Sequence, residues 1–187
     1  MVSPAVAETQ VDTKGHIGGP TLRSELLTYG LLGALAIGLL AAAFTDLKRR
    51  QIDNWLNAAI ALAAPAFWWA SGLDLWPGVG WQLGVAAMAF AILAVLFAMK
   101  MMGGGDVKLL TALALWVQPG HFLWLVVVMS VIGGLLTVVF GAWHVTRRKT
   151  GRIAIPYGVA ICAAALLTVY LKSLPALQAA MPAAHVG

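Results

Sequence analysis

Apolar residues in this chain fall in long, nearly uninterrupted runs rather than at helical or alternating spacing. Leu26 to Thr45 carries no charge and is long enough to cross a bilayer as a helix. Five more runs follow: Trp55 to Ser71, with Pro65 as a kink; Trp81 to Met99; Leu109 to Val117; Phe122 to Ala142; and Ile153 to Leu171. Short polar segments separate them. The pattern predicts an all-α polytopic membrane protein of six transmembrane helices. The fourth helix is short: Val107 to Gln118, about twelve residues at ~1.5 Å per residue, reaches only ~18 Å, against a hydrocarbon core of ~30 Å. A re-entrant hairpin is the alternative to a short span there. It would put the basic segment after the fifth run on the outer side, so a short spanning helix is the expectation.

Composition agrees with the pattern. Of 187 residues, 61% are hydrophobic and only 10% charged, with mean hydropathy +0.87. A soluble domain of this length would need far more charge to cover its surface. The single cysteine, Cys162, rules out an intrachain disulfide and a cysteine-based zinc site.

Net charge is +5, and the placement of the basic residues assigns it to topology rather than to nucleic acid. Lys48, Arg49, Arg50, Lys100, Lys108, Arg147, Arg148, Lys149 and Arg152 fall in alternate connections. The connections between, 72–80 and 118–121, hold no Lys or Arg. This is the positive-inside arrangement for six helices with both termini on the outer side. The lipid bilayer is the expected partner and nucleic acid is not. Trp68, Trp69, Trp76, Trp81, Trp116 and Trp124 flank the outer connections and Trp55 and Trp143 the inner ones, as an interfacial belt. Gly30, Gly33, Ala34 and Gly38 give the first helix a small-residue stripe suited to close packing. The domain expectation is a loose tail over 1–24, a membrane domain over 25–172 and a loose tail over 173–187.

This topology sorts the acids. Glu8, Asp12, Glu25 and Asp74 go outside; Asp46, Asp53 and Asp106 go to the cytoplasmic side. Asp46 closes the first helix, and Asp106 precedes the fourth, behind Gly103, Gly104 and Gly105. Two carboxylates meeting at an apolar boundary cannot easily both ionise, so the pair can hold one proton between them. One member then takes a proton from water while the other protonates or polarises a carbonyl. The residues leave other roles open: Asp46 paired with Arg50 at i, i+4, and Asp106 as a helix cap.

Gly103-Gly104-Gly105-Asp106 fits the GxGD signature of membrane-embedded aspartyl proteases. The longer string to Leu110, including Lys108, resembles the type IV prepilin peptidase family. So does Asp46 followed by Ile52-Asp53-Asn54, and so does Pro156-Tyr157-Gly158 before the last helix. The resemblance covers Leu26 to Leu171. It implies an endopeptidase of the bacterial inner membrane that removes leaders from prepilins or pseudopilins at the cytoplasmic face. Asp46 and Asp106 would be its catalytic pair. Gly103, Gly104, Gly105, Lys108, Asn54, Pro156, Tyr157 and Gly158 would support the site, with no metal or organic cofactor.

The family's long members carry an extra cytoplasmic domain with paired cysteines and methylate the new amino terminus. This chain resembles the short, peptidase-only kind of tight-adherence (Flp) pilus systems, which implies that no N-methyltransferase activity is expected. Asp53 stands where proline is common in the family; it is the rival to Asp46, read here as a loop or capping residue. Two other functions compete: a non-enzymatic component of a secretion or pilus machine, and a metal-dependent lipid-phosphate transferase, for which three cytoplasmic acids are few.

Overall fold

The computed structural model describes residues 22–146 and 157–180. They form six α-helices: α1 (Leu22–Arg49), α2 (Asn54–Ala70), α3 (Gly80–Ala98), α4 (Gly104–Ala114), α5 (Pro119–Thr146) and α6 (Tyr157–Ala180), with a wide helical turn at Leu75–Val79. Each apolar run becomes one helix, because an apolar chain must satisfy its own backbone polar groups. Three stretches, Arg23–Arg49, Leu75–Ala98 and Pro119–Trp143, are long and apolar enough to cross a membrane. The protein is a multi-pass, all-helical membrane protein. Its outer faces are apolar: Ile37, Leu62, Trp69, Ile92, Val131 and Val138 are among many exposed large side chains, as a lipid-facing surface requires.

The short fourth helix is the centre of the molecule. It packs against α2, α3, α5 and α6, while α1 leans on α2 and α6, and α5 on α6. Val107, Leu109, Leu110, Ala112, Leu113 and Ala114 are all buried. A helix that ends inside protein leaves carbonyls that need donors, and two neighbours supply them. Gln82 in α3 donates through Nε2 to the carbonyls of Ala114 (2.7 Å) and Val117 (2.6 Å). Trp68 in α2 donates to the carbonyl of Leu115 at 2.7 Å. Trp116 returns the favour, donating to the carbonyl of Ile60 at 2.8 Å and stacking on Phe67 with ring centroids 5.0 Å apart.

Two expectations change here. Trp116 is buried and Trp68 half-buried; both bond to backbone carbonyls and brace the end of α4 instead of facing headgroups. Trp55, Trp69, Trp76, Trp81, Trp124 and Trp143 do remain exposed. In the glycine stripe of α1, Gly38 alone meets a neighbour, with Ile60 3.6 Å from where its Cβ would stand; Gly30 and Gly33 face open space. A stripe predicts a packing face only if a helix lies on it, and α2 covers only its C-terminal half.

Gln82, in the first turn of α3, and Gln118, at the end of the α4 segment, line one cavity with His121. The entrance to α5 therefore lies beside the entrance to α3. The last helix starts at Tyr157 and continues to Ala180, beyond the expected end at Leu171. Pro156 and the basic residues Arg147 to Arg152 lie outside the described residues.

Candidate active site

Four chain segments meet at one end of the bundle: the end of α1, the 50–53 connection, the glycine turn into α4 and the start of α6. Together they enclose a cavity of about 600 Å³. Asp46, Asp106, Gly103, Gly104, Gly105, Asn54, Lys108 and Tyr157 all line it. Asp46 lies in the last turn of α1 and is only 5% exposed. The backbone N–H groups of Gly158 and Val159 face its carboxylate. They are donors of the first turn of α6, which have no partner within the helix and carry the positive end of its dipole. Oδ2 of Asp46 is buried and has no hydrogen-bond partner, an acceptor left unsatisfied beside the cavity.

The closeness of α6 has a steric reason. A Cβ at Gly158 would stand 2.7 Å from Asp46 Oδ2, 2.8 Å from its Cγ and 3.0 Å from Ile52 Cδ1. No larger residue fits there without moving the carboxylate. Gly158 is thus explained by contact with Asp46, a role its place in the sequence could not show.

The three glycines before Asp106 differ in conformation. Only Gly103 is extended (φ −72°, ψ 144°). Gly104, Gly105 and Asp106 already belong to the first turn of α4. Asp106 is three residues into the helix rather than ahead of it, and its carboxylate turns back to accept from the N–H of Gly103, half of a capping box. The glycines serve close approach. A Cβ would lie 3.3 Å from Ile52 Cβ at Gly105 and 3.2 Å from Phe97 Cε2 at Gly104. Without side chains, the turn fits between α3 and the 50–53 connection, and Asp106 reaches the cavity.

Asp106 lies ahead of the apolar stretch of α4. Burial and the nearby negative charge of Asp46 push its carboxyl up to about 6, against a smaller opposing effect of the Gly103 N–H. Asp46 and Asp106 therefore interact electrostatically as well as sharing a cavity. One protonated and one ionised carboxyl is the state that general acid–base chemistry needs near neutral pH.

Asp53 also lines the cavity. It occupies the N-cap position of α2 in extended conformation, but its side chain makes no cap bond; its backbone carbonyl accepts from Leu56 and Asn57. Lys108 donates to Asn54 Oδ1 at 2.8 Å, so this lysine ties α4 to α2. Tyr157 joins α6 to α5: its hydroxyl is 3.1 Å from Thr137 Oγ1. Thr137 spends its own proton on the carbonyl of Gly133, so Tyr157 is the donor.

Two residues of the site have roles that a reading of the sequence does not give. Ile52, buried, is the wedge that both Gly105 and Gly158 approach; the sequence offers it only as part of the Ile52-Asp53-Asn54 string. Asn57, one turn into α2, is buried and donates to the carbonyl of Gly105 at 3.4 Å. Nothing in its sequence context sets it apart. Among the described residues, no three His, Cys, Asp or Glu side chains gather as ligands for a metal ion.

The fold and cavity define a polytopic helical membrane protein with two aspartates meeting at one end of its bundle. A model of the type IV leader peptidase family matches residues 33–138. That is more than half of the chain, and it spans both Asp46 and the glycine turn with Asp106. The chain belongs to the type IV leader peptidase family, and so to a family of peptidases. The match ends before α6, so the contribution of Gly158 and Val159 rests on the structure. Neither a curated protein nor a solved structure matches the chain.

Proposed function

We propose that this protein is a membrane-embedded aspartyl endopeptidase that removes the leader from type IV, Flp-type prepilins or pseudopilins at the cytoplasmic face of the bacterial inner membrane. Asp46 and Asp106 are its catalytic pair. Asp46, with Oδ2 unpartnered, activates the attacking water; Asp106, carrying the proton, polarises the scissile carbonyl and then serves the leaving amine. Six helices cross the bilayer with both termini outside, α4 making its short crossing within protein. The N-terminal residues through 24 and those beyond 172 are adjuncts to the peptidase domain.

The observation that carries this reading is the convergence of two aspartates sixty positions apart in one cavity, with α6 donors aimed at Asp46 and the charge of Asp46 acting on Asp106. Purified protein incubated with a prepilin, followed by a gel shift for leader loss, tests it. Asp46→Asn and Asp106→Asn should each abolish cleavage while membrane insertion persists. Full cleavage by both variants would overturn the mechanism. Loss in Asp53→Asn with activity retained in Asp46→Asn would move the first carboxylate to Asp53.

A further inference from the structure

Among the described residues, α5 gives no side chain to the catalytic cavity, yet it packs along α6, whose first turn faces Asp46. That turn opens the helix, so its N–H groups have no partner upstream and its placement depends on what its side chains rest against. Consecutive positions on a helix of 3.6 residues per turn point about 100° apart. Gly158 and Tyr157 therefore address different neighbours: Gly158 meets Asp46 and Ile52, and Tyr157 meets α5.

The contact with α5 has two parts. A Cβ at Gly133 would stand 3.2 Å from Cε1 and 3.3 Å from Cδ1 of Tyr157, so the ring lies where a side chain would otherwise be. Its hydroxyl reaches Thr137 Oγ1 at 3.1 Å, and Thr137 donates in turn to the carbonyl of Gly133 at 2.7 Å. Gly133 and Thr137 are four residues apart, on one face of α5, so the three residues form a closed set. The ring restrains the approach of α6 to α5, and the hydroxyl restrains its slide along it. Next door, Gly134 has no atom within 4 Å of an added Cβ.

We propose that Tyr157, seated on Gly133 and bonded to Thr137, is a positioning residue through which α5 holds the Gly158 and Val159 N–H groups on Asp46. The inference rests on the peptidase reading and adds Gly133 and Thr137 to the groups on which the reaction depends. The Tyr157 proton is committed to Thr137, so the hydroxyl is not an acid for the substrate. Its effect is on alignment. Catalytic groups must be held to within about 0.5 Å of their working geometry, and hydrogen bonds weaken steeply as they lengthen or bend. A helix start freed from α5 would present its donors to Asp46 less often.

The test uses the full-length protein and a prepilin, with leader removal followed over a substrate series. A neutral hydrogen bond biases such an alignment by about two- to tenfold. Tyr157→Phe and Thr137→Val should each lower kcat within that range and leave KM within about twofold. Both remove the same bond, so the double variant should be no worse than either alone. Thr137→Ser keeps the acceptor and should restore kcat. A raised KM with unchanged kcat would make Tyr157 a substrate contact and overturn the proposal, as would additive losses or equal losses in Thr137→Ser and Thr137→Val.

The ring's seat is tested separately. Gly133→Ala should lower kcat when Tyr157 is present and cost nothing further in a Tyr157→Ala background, where no ring meets the added methyl. Equal losses in both backgrounds would overturn the seat. Asp46→Asn and Asp106→Asn in the same assay keep the two readings apart. Cleavage lost in these but unchanged in Tyr157→Phe, Thr137→Val and Gly133→Ala removes the positioning role and leaves the catalytic pair standing; cleavage retained in both aspartate variants removes the peptidase mechanism itself.

Discussion

Replacing Gly158 with alanine adds one methyl group at the position where the structure has least room. The new Cβ would meet Asp46 Oδ2 at 2.7 Å and Cγ at 2.8 Å, with Ile52 Cδ1 at 3.0 Å on the other side. Neither neighbour can yield freely: Asp46 and Ile52 are both buried, and Ile52 also bears on Gly105. The carboxylate must therefore move off the Gly158 and Val159 N–H groups. A hydrogen bond to a charged group contributes about 1.5–3 kcal/mol. Loss of one such bond in the transition state lowers kcat roughly ten- to a hundredfold, at 1.36 kcal/mol per factor of ten. KM should stay within about twofold, because the groups that hold the substrate are untouched.

Leader removal followed over a substrate series gives both constants. Gly134→Ala in α5 is the control, since no atom lies within 4 Å of its added Cβ; it should keep full activity and a wild-type Tm. Gly158→Ala with wild-type kcat would refute the placement of Asp46 against the start of α6, and with it the role given to that carboxylate.

Other outcomes follow from separate contacts. Asp106 binds its proton more tightly folded (about 6) than at the ordinary value of 3.8, so its contribution to stability is full below 3.8 and is lost as pH rises through about 6. Asp106→Asn should therefore raise Tm at pH 7 more than at pH 4; a pH-independent difference would show that the carboxyl is not perturbed. Gln82→Met leaves the carbonyls of Ala114 and Val117 without their donor and should cost about 2–4 kcal/mol in a denaturant titration in detergent; an unchanged midpoint would mean α4 needs no such brace. Asn54→Ala and Lys108→Met break one shared bond, so their effects on kcat/KM should be strongly non-additive in a double-mutant cycle. Strict additivity would show that the 2.8 Å contact does not bear on catalysis.

What the sequence determined was the frame. Uninterrupted apolar runs leave the backbone no partner but itself, so six runs become six helices. The positions of Asp46 and Asp106 relative to those runs put both carboxylates at helix ends facing one way. The family's string from Gly103 to Leu110 was readable for the same reason: it is local.

Contacts between distant segments were not readable. Whether the three glycines are extended or helical depends on Phe97 and Ile52 crowding them, and these lie in other elements. Trp68 and Gln82 look like interfacial or polar-edge residues until a short buried helix ends among them and needs their N–H groups, and Trp116 until its N–H meets the Ile60 carbonyl of α2. Asn57 resembles any polar residue in a helix until Gly105 fixes its amide. Gly158 is one glycine of twenty, and only the approach of α6 to Asp46 gives it a reason to be one. Local periodicity is written in the order of residues, whereas the space beside a Cα is set by whatever else folds against it.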